Sequence, residues 1–149
     1  MANSTPKNEL SKGKLIALWV ATLLPVALFL FAGGNKLAAA PPFPDRFVNH
    51  YGLPLWFLYV TGAVEVVGAL LLAIPGTAVF GSLILVGTMV GAVLTHLKVG
   101  EYAQTVVPLV LLALVAIVGY VRRAPLLNLL AKLGIAAKRE EDVTNLKAA

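Results

Sequence analysis

Four long apolar runs constrain this chain more than any other feature. They are Leu15 to Gly34, Leu53 to Ile74, Ala78 to Leu97 and Ala103 to Val121. A hydrocarbon core of ~30 Å is crossed by about 20 apolar residues in a helix. Lipid offers no partner for a backbone N–H or C=O, so only helices and closed barrels span it. Four runs of this length do not make a barrel. The expected fold is an all-α membrane protein, a four-transmembrane-helix bundle. Composition agrees: 59% of the residues are hydrophobic and 13% charged, whereas a soluble domain carries about a quarter charged residues.

The runs divide the 149 residues into a segment over 1–14, a membrane domain over 15–121 and a segment over 122–149. Pro75, Gly76 and Thr77 make a tight turn, so the second and third spans are expected to form an antiparallel hairpin. The link from the third to the fourth is short as well, which predicts neighbours. The first loop is long and broken by Pro41, Pro42 and Pro44. Beyond Val121, Leu126, Leu129, Leu130 and Leu133 recur at helical spacing beside Asn128 and Lys132. That pattern predicts a short amphipathic helix at the membrane surface.

The net charge of +5 reads as topology and not as nucleic-acid binding. Basic residues crowd the ends: Lys7, Lys12 and Lys14 before the first span, and Arg122, Arg123, Lys132, Lys138, Arg139 and Lys147 after the last. The first and third loops hold only Lys36, Arg46 and Lys98. Aromatic residues are not interleaved with basic ones as a strand-binding surface requires. The excess of Lys and Arg at the ends predicts that both termini are cytoplasmic. The first run exceeds the 7–15 apolar residues typical of a signal peptide, and Pro41 would follow the cut, so it is read as a retained span.

One residue breaks the apolar pattern. Glu65 stands within "VTGAVEVVGALLLAIPG", roughly 18 Å from the start of the second run at 1.5 Å per residue. An acid at that depth costs ~2.5–3.5 kcal/mol on insertion scales. It is therefore expected to face the bundle interior and to serve a site. Packing is the competing reading, in which Glu65 only ties helices together. Lys36 and Asn35 close the first span, and His96 closes the third after Thr95. Alternating spans bring these ends together, so Lys36 or His96 could reach Glu65 past Thr61 and Thr95. The predicted pocket is polar, open outward and closed toward the cytoplasm. Gly62 and Gly68 flank Glu65, and Gly87 and Gly91 form a GxxxG; all four are read as helix-packing glycines. His50 lies in a loop and receives no role.

Cofactor chemistry is thinly represented. The chain has no cysteine, which excludes disulfides, thiol redox and cysteine-ligated clusters. Its two histidines lack the i, i+4 spacing of a helical metal pair. No metal site and no intrinsic cofactor is expected.

The segments "FLFAGGNKL", "YGLPLWFLYVTGAVEVVGALLLAIP", "MVGAVLTHL" and "VVPLVLLALVAI" resemble, in order and spacing, the DoxX-like membrane proteins. The likeness runs from about Phe29 to Val121. The family pattern falls on Gly33, Asn35, Lys36, Gly52, Pro54, Gly62, Glu65, Gly68, Met89, Ala92, His96 and Pro108. The resemblance implies a four-helix protein of a bacterial inner membrane with links to quinone redox chemistry and oxidative stress. On it, the chain is expected to be a non-catalytic accessory subunit that takes a quinone-like ligand beside Glu65. It would work with a membrane redox partner or as a homo-oligomer. A small permease working as an oligomer and a purely structural subunit remain the alternatives.

Overall fold

A computed structural model describes residues 12–132 and 134. The helices, in chain order, are α1 (Lys12–Leu37), α2 (Phe43–Asp45), α3 (Leu55–Ala73), α4 (Ala78–Lys98), α5 (Val106–Val121) and α6 (Ala124–Lys132). A π-helical turn, Arg46–His50, continues α2. No strand occurs among the described residues. The expectations for Lys7, Leu133, Lys138, Arg139 and Lys147 lie outside them.

α1, α3 and α4 are each long and apolar enough to cross a membrane. α5 has 16 residues, about 24 Å at 1.5 Å per residue. It qualifies only together with α6, across a bend of 56°. The fourth run was expected to be helical from Ala103, but α5 starts at Val106. The cause lies upstream. Gly100 adopts a φ of 77°, which reverses the chain after α4, and the Thr105 hydroxyl donates to the Glu101 carbonyl at 3.1 Å. The residues between are spent in that turn. At its far end α5 stops at Arg122, whose guanidinium lies 5.0 Å from the centre of the Trp19 ring.

α3 packs between α1 and α4, and α4 packs between α3 and α5. The core joins Val26 and Phe29 of α1, Ala69 and Leu72 of α3, Leu85 and Met89 of α4, and Val115 and Val118 of α5. The opposite faces carry exposed Leu, Val and Phe residues, as a lipid-facing surface must.

Small residues set how the helices approach. α3 and α4 pinch near the turn at 74–77. A Cβ on Gly81 would strike the α3 backbone at Gly68 and Leu72, and one on Gly68 would come 2.9 Å from the Leu85 side chain. α4 and α5 meet at the same end, where Ser82 Oγ donates to the Val115 carbonyl at 2.6 Å and Gly119 leaves room for that hydroxyl. A Cβ on Gly87 or on Gly91 would meet nothing within 4 Å. The packing expected of these two glycines is not found among the described residues. Both line the space between α3 and α4 instead.

At the other end the first loop is folded rather than slack. Phe47 and Tyr51 are buried against Leu58 of α3, with Phe43, Leu53 and Val99 around them. Gly52 takes a φ of 66° and turns the chain into α3. This small aromatic core lays residues 43–53 over the diverging ends of α3 and α4.

Candidate functional site

Two glycines place the ion pair at the contact of α1 and α3. A Cβ on Gly33 would lie 2.8 Å from the Gly62 carbonyl, and a Cβ on Gly62 would lie 2.9 Å from the Gly33 carbonyl. Here α1 and α3 touch backbone to backbone, which only residues without side chains permit. Lys36 is three residues after Gly33, and Glu65 is three after Gly62. On each helix, a residue three further on lies over the same face. The glycine contact therefore brings Lys36 and Glu65 together.

They meet in a forked contact. Lys36 Nζ donates to Glu65 Oε1 at 2.5 Å and to Oε2 at 2.6 Å. The Glu65 side chain is 3% exposed and that of Lys36 11%. Lys36 thus leaves the helix-end position of a snorkelling residue and turns inward. It also lies 5.8 Å from the centre of the Phe43 ring, so the loop covers it.

Beside the pair lies a cavity of about 720 Å³, within the 300–1,000 Å³ typical of ligand pockets. α1 contributes Lys36, and α3 contributes Phe57, Thr61, Val64 and Glu65. One face of α4 lines the far side from Leu83 to His96. The loop supplies Phe43, Arg46, Phe47 and Tyr51. Leu83, Gly87 and Gly91 line this cavity and are exposed as well. The cavity consequently opens sideways between α3 and α4. A pocket open only toward the loop end had been expected. The aromatic core of the loop covers that end instead, and the divergence of α3 from α4 makes the side opening.

Five of the six pocket candidates named from sequence line this space: Lys36, Glu65, Thr61, Thr95 and His96. Asn35 does not. Its side chain donates to the Phe31 carbonyl of its own helix at 2.7 Å, one position off the face that carries Lys36. Thr61 and Thr95 likewise donate to Phe57 and Gly91, four residues back, so their methyl groups and hydroxyl lone pairs line the wall. His96 does not reach Glu65. It turns to Glu101 in the next loop, Nδ1 to Oε2 at 2.7 Å.

Glu101 was missed, and so were His50 and Tyr51 beside it. His50 Nε2 lies 3.0 Å from Glu101 Oε1, and the Tyr51 hydroxyl donates toward Oε2 at 3.5 Å. Three donors, two from the first loop and one from the end of α4, converge on one carboxylate. The His96 bond, ahead of the opposing effect of burial and then the His50 bond, holds the Glu101 carboxyl below its ordinary value. Burial and the neighbouring Glu101 charge raise the Tyr51 phenol, which therefore stays protonated and able to donate. The alternation of spans puts both loops at one end, and that much was available from the sequence. Which loop residues pair was not, because the π-helical turn that aims His50 has no sequence pattern of its own.

No group of three His, Cys, Asp or Glu suited to a metal ion occurs among the described residues.

A family model described as the DoxX-like family matches residues 20–118, well over half the chain and all four long helices in whole or large part. Among curated proteins, the chain is 36% identical over 76 residues to the uncharacterized protein YdgD of Bacillus subtilis (strain 168), which covers 48% of this chain and 67% of that protein. No solved structure matches this chain significantly.

Proposed function

The chain belongs to the DoxX-like family of membrane proteins, and from that premise we propose that it holds a lipid-soluble, oxygen-bearing ligand of quinone type in the cavity beside Lys36 and Glu65. On this reading it is a non-catalytic accessory subunit in membrane redox or oxidative-stress physiology, seated in a bacterial inner membrane with both termini cytoplasmic. One observation carries the proposal: a forked Lys–Glu pair, withdrawn from lipid, forms a charged corner of a cavity walled largely by apolar and aromatic side chains, with Arg46, Thr61, Thr88, Thr95 and His96 as its other polar groups. A pair that served packing alone would gain nothing from an adjoining space of about 720 Å³. Ligand sites combine apolar walls with a few fixed polar groups in this manner.

The chemistry of the wall suits an oxygen-bearing ring. The Lys36 ammonium has a third N–H beyond its two bonds to Glu65, and a ligand carbonyl can accept it. Phe43, Phe47, Tyr51 and Phe57 offer faces and edges for a flat ring. The side opening between α3 and α4 lies along the apolar stretch of both helices, so such a ligand enters from lipid without crossing water. On this reading redox chemistry falls to a partner subunit that holds the electron carrier. The permease alternative fits less well, since close packing at Gly68, Gly81 and Ser82 leaves a single chain without a path to the turn end.

The test is direct. The full chain is purified in mild detergent, its bound small molecules are extracted, and quinone is quantified by mass spectrometry against a Lys36→Met/Glu65→Met double variant. Quinone co-purifying with the wild type and not with the variant is the expected result. Extracts without quinone, together with no effect of added quinone on the melting temperature, would reject the reading.

A further inference from the structure

We propose that Glu101 is a positioning residue that fixes His96 as a hydrogen-bond acceptor toward the cavity, so that the site selects a ligand bringing a hydroxyl donor, a phenol or quinol, over a counterpart that lacks one. This rests on the reading of the cavity as a ligand site and names the chemical class it takes.

The argument starts from proton bookkeeping. Glu101 is held as a carboxylate by the donors gathered on it, and a carboxylate only accepts hydrogen bonds. His96 Nδ1 lies 2.7 Å from Oε2, so the imidazole proton sits on Nδ1. A neutral imidazole has one N–H, which leaves Nε2 as a lone pair. His96 lines the cavity and Glu101 does not. The ring edge away from the Glu101 bond carries Nε2, and on this proposal it is the edge that faces the cavity. Nε2 has no hydrogen-bond partner among the described residues. The Tyr51 ring stands edge-on to His96 at 5.7 Å between centroids and hinders rotation of the imidazole.

Other polar groups on the wall do not duplicate this one. Lys36 offers N–H only. Glu65 accepts, but both its oxygens are engaged by Lys36. Thr61 and Thr95 donate to their own helices and present only hydroxyl lone pairs, weaker acceptors than an imidazole nitrogen. Arg46 lines the cavity as a further donor. The charged and titratable groups that bear on His96 are Glu101 and Tyr51 directly, His50 through Glu101, and Arg46 and the Lys36–Glu65 pair across the cavity; Lys98, two residues on, is exposed. Among these groups His96 Nε2 is the most basic unengaged acceptor, and it rewards a ligand O–H.

The experiment compares two probes that differ in one O–H, 1-naphthol and 1-methoxynaphthalene, against the full chain in lipid nanodiscs, with empty nanodiscs as the partition control. Wild type should bind 1-naphthol about fivefold more tightly, the worth of one net hydrogen bond. Glu101→Gln should reduce that preference to below about twofold, because the amide can donate to Nδ1 and release the imidazole proton to Nε2, while Glu101→Asp should keep it. Equal affinities in wild type, or a preference that survives in a folded Glu101→Gln chain, overturn the proposal and leave the ligand site standing. Binding of neither probe removes the ligand site, and this proposal with it.

Discussion

Removing one partner of the Lys36–Glu65 pair should be far more damaging than removing both. The two contacts of 2.5 and 2.6 Å correspond to an attraction of roughly 6 kcal/mol at an effective dielectric of 20. Most of that offsets the withdrawal of two charges from water, so the net worth of the pair is small. A single substitution keeps the desolvation and discards the attraction. Lys36→Met or Glu65→Met should therefore each destabilise the bundle by about 3–5 kcal/mol. The double substitution leaves two flexible apolar chains of similar volume at the glycine contact, and should lie within about 1 kcal/mol of wild type or above it. The coupling energy of the cycle should reach about 5 kcal/mol or more. Trp19 and Trp56 report unfolding as the fraction of a denaturing detergent is raised in mixed micelles. Single variants that each cost under about 1 kcal/mol, or a double variant that costs the sum of the singles, would refute the argument. The stable double variant is also the useful functional probe, since it keeps the fold and removes the charged corner.

Glycine positions separate into two kinds. Gly62→Ala places a Cβ 2.9 Å from the Gly33 carbonyl, where backbone cannot yield, and should cost about 1–3 kcal/mol in the same unfolding assay. Gly87→Ala meets open space and should be neutral or stabilising by up to about 1 kcal/mol, as a helical glycine replaced by alanine. Gly87→Leu should also leave stability nearly unchanged while filling the side opening, which ligand titration would read as lost binding. Ser82→Ala removes the 2.6 Å bond to the Val115 carbonyl and should cost about 0.6–1.7 kcal/mol, the span of interhelical bonds measured in membranes. Acid should release the first loop. The Glu101 carboxyl is held below its ordinary 4.5, so its contribution is complete above that value and is lost as pH falls through the lowered one. Hydrogen exchange over residues 46–53 should accelerate only at that acid extreme, and Glu101→Gln should show the fast exchange at neutral pH.

The long apolar runs made the helices legible, because lipid leaves no other use for them. Glu65 was legible as an inward residue for the same reason: its depth excludes escape to water. Lys36 was half legible. Its spacing from Gly33 matches that of Glu65 from Gly62, but a lysine at a helix end reads equally well as a snorkelling residue. What decides is the backbone contact of the two glycines, which is a property of the pair of helices and of neither alone. Gly87 and Gly91 misled for the converse reason. A GxxxG records that a close approach is sterically allowed, and here both glycines line the space between α3 and α4 instead. Asn35 was one residue off the working face. The His50–Glu101–His96 cluster was not legible, since it joins positions about fifty residues apart through a loop whose fold depends on Phe47 and Tyr51 finding Leu58.

The most direct test of the central claim is photolabelling of the full chain in native membranes with a photoreactive quinone, followed by peptide mapping. Label should fall on residues 57–65 of α3 and 83–96 of α4, should be competed by unlabelled quinone, and should disappear from the Lys36→Met/Glu65→Met variant. Label spread without competition over the exposed faces of α5 and α6, or unchanged in the double variant, would contradict the account.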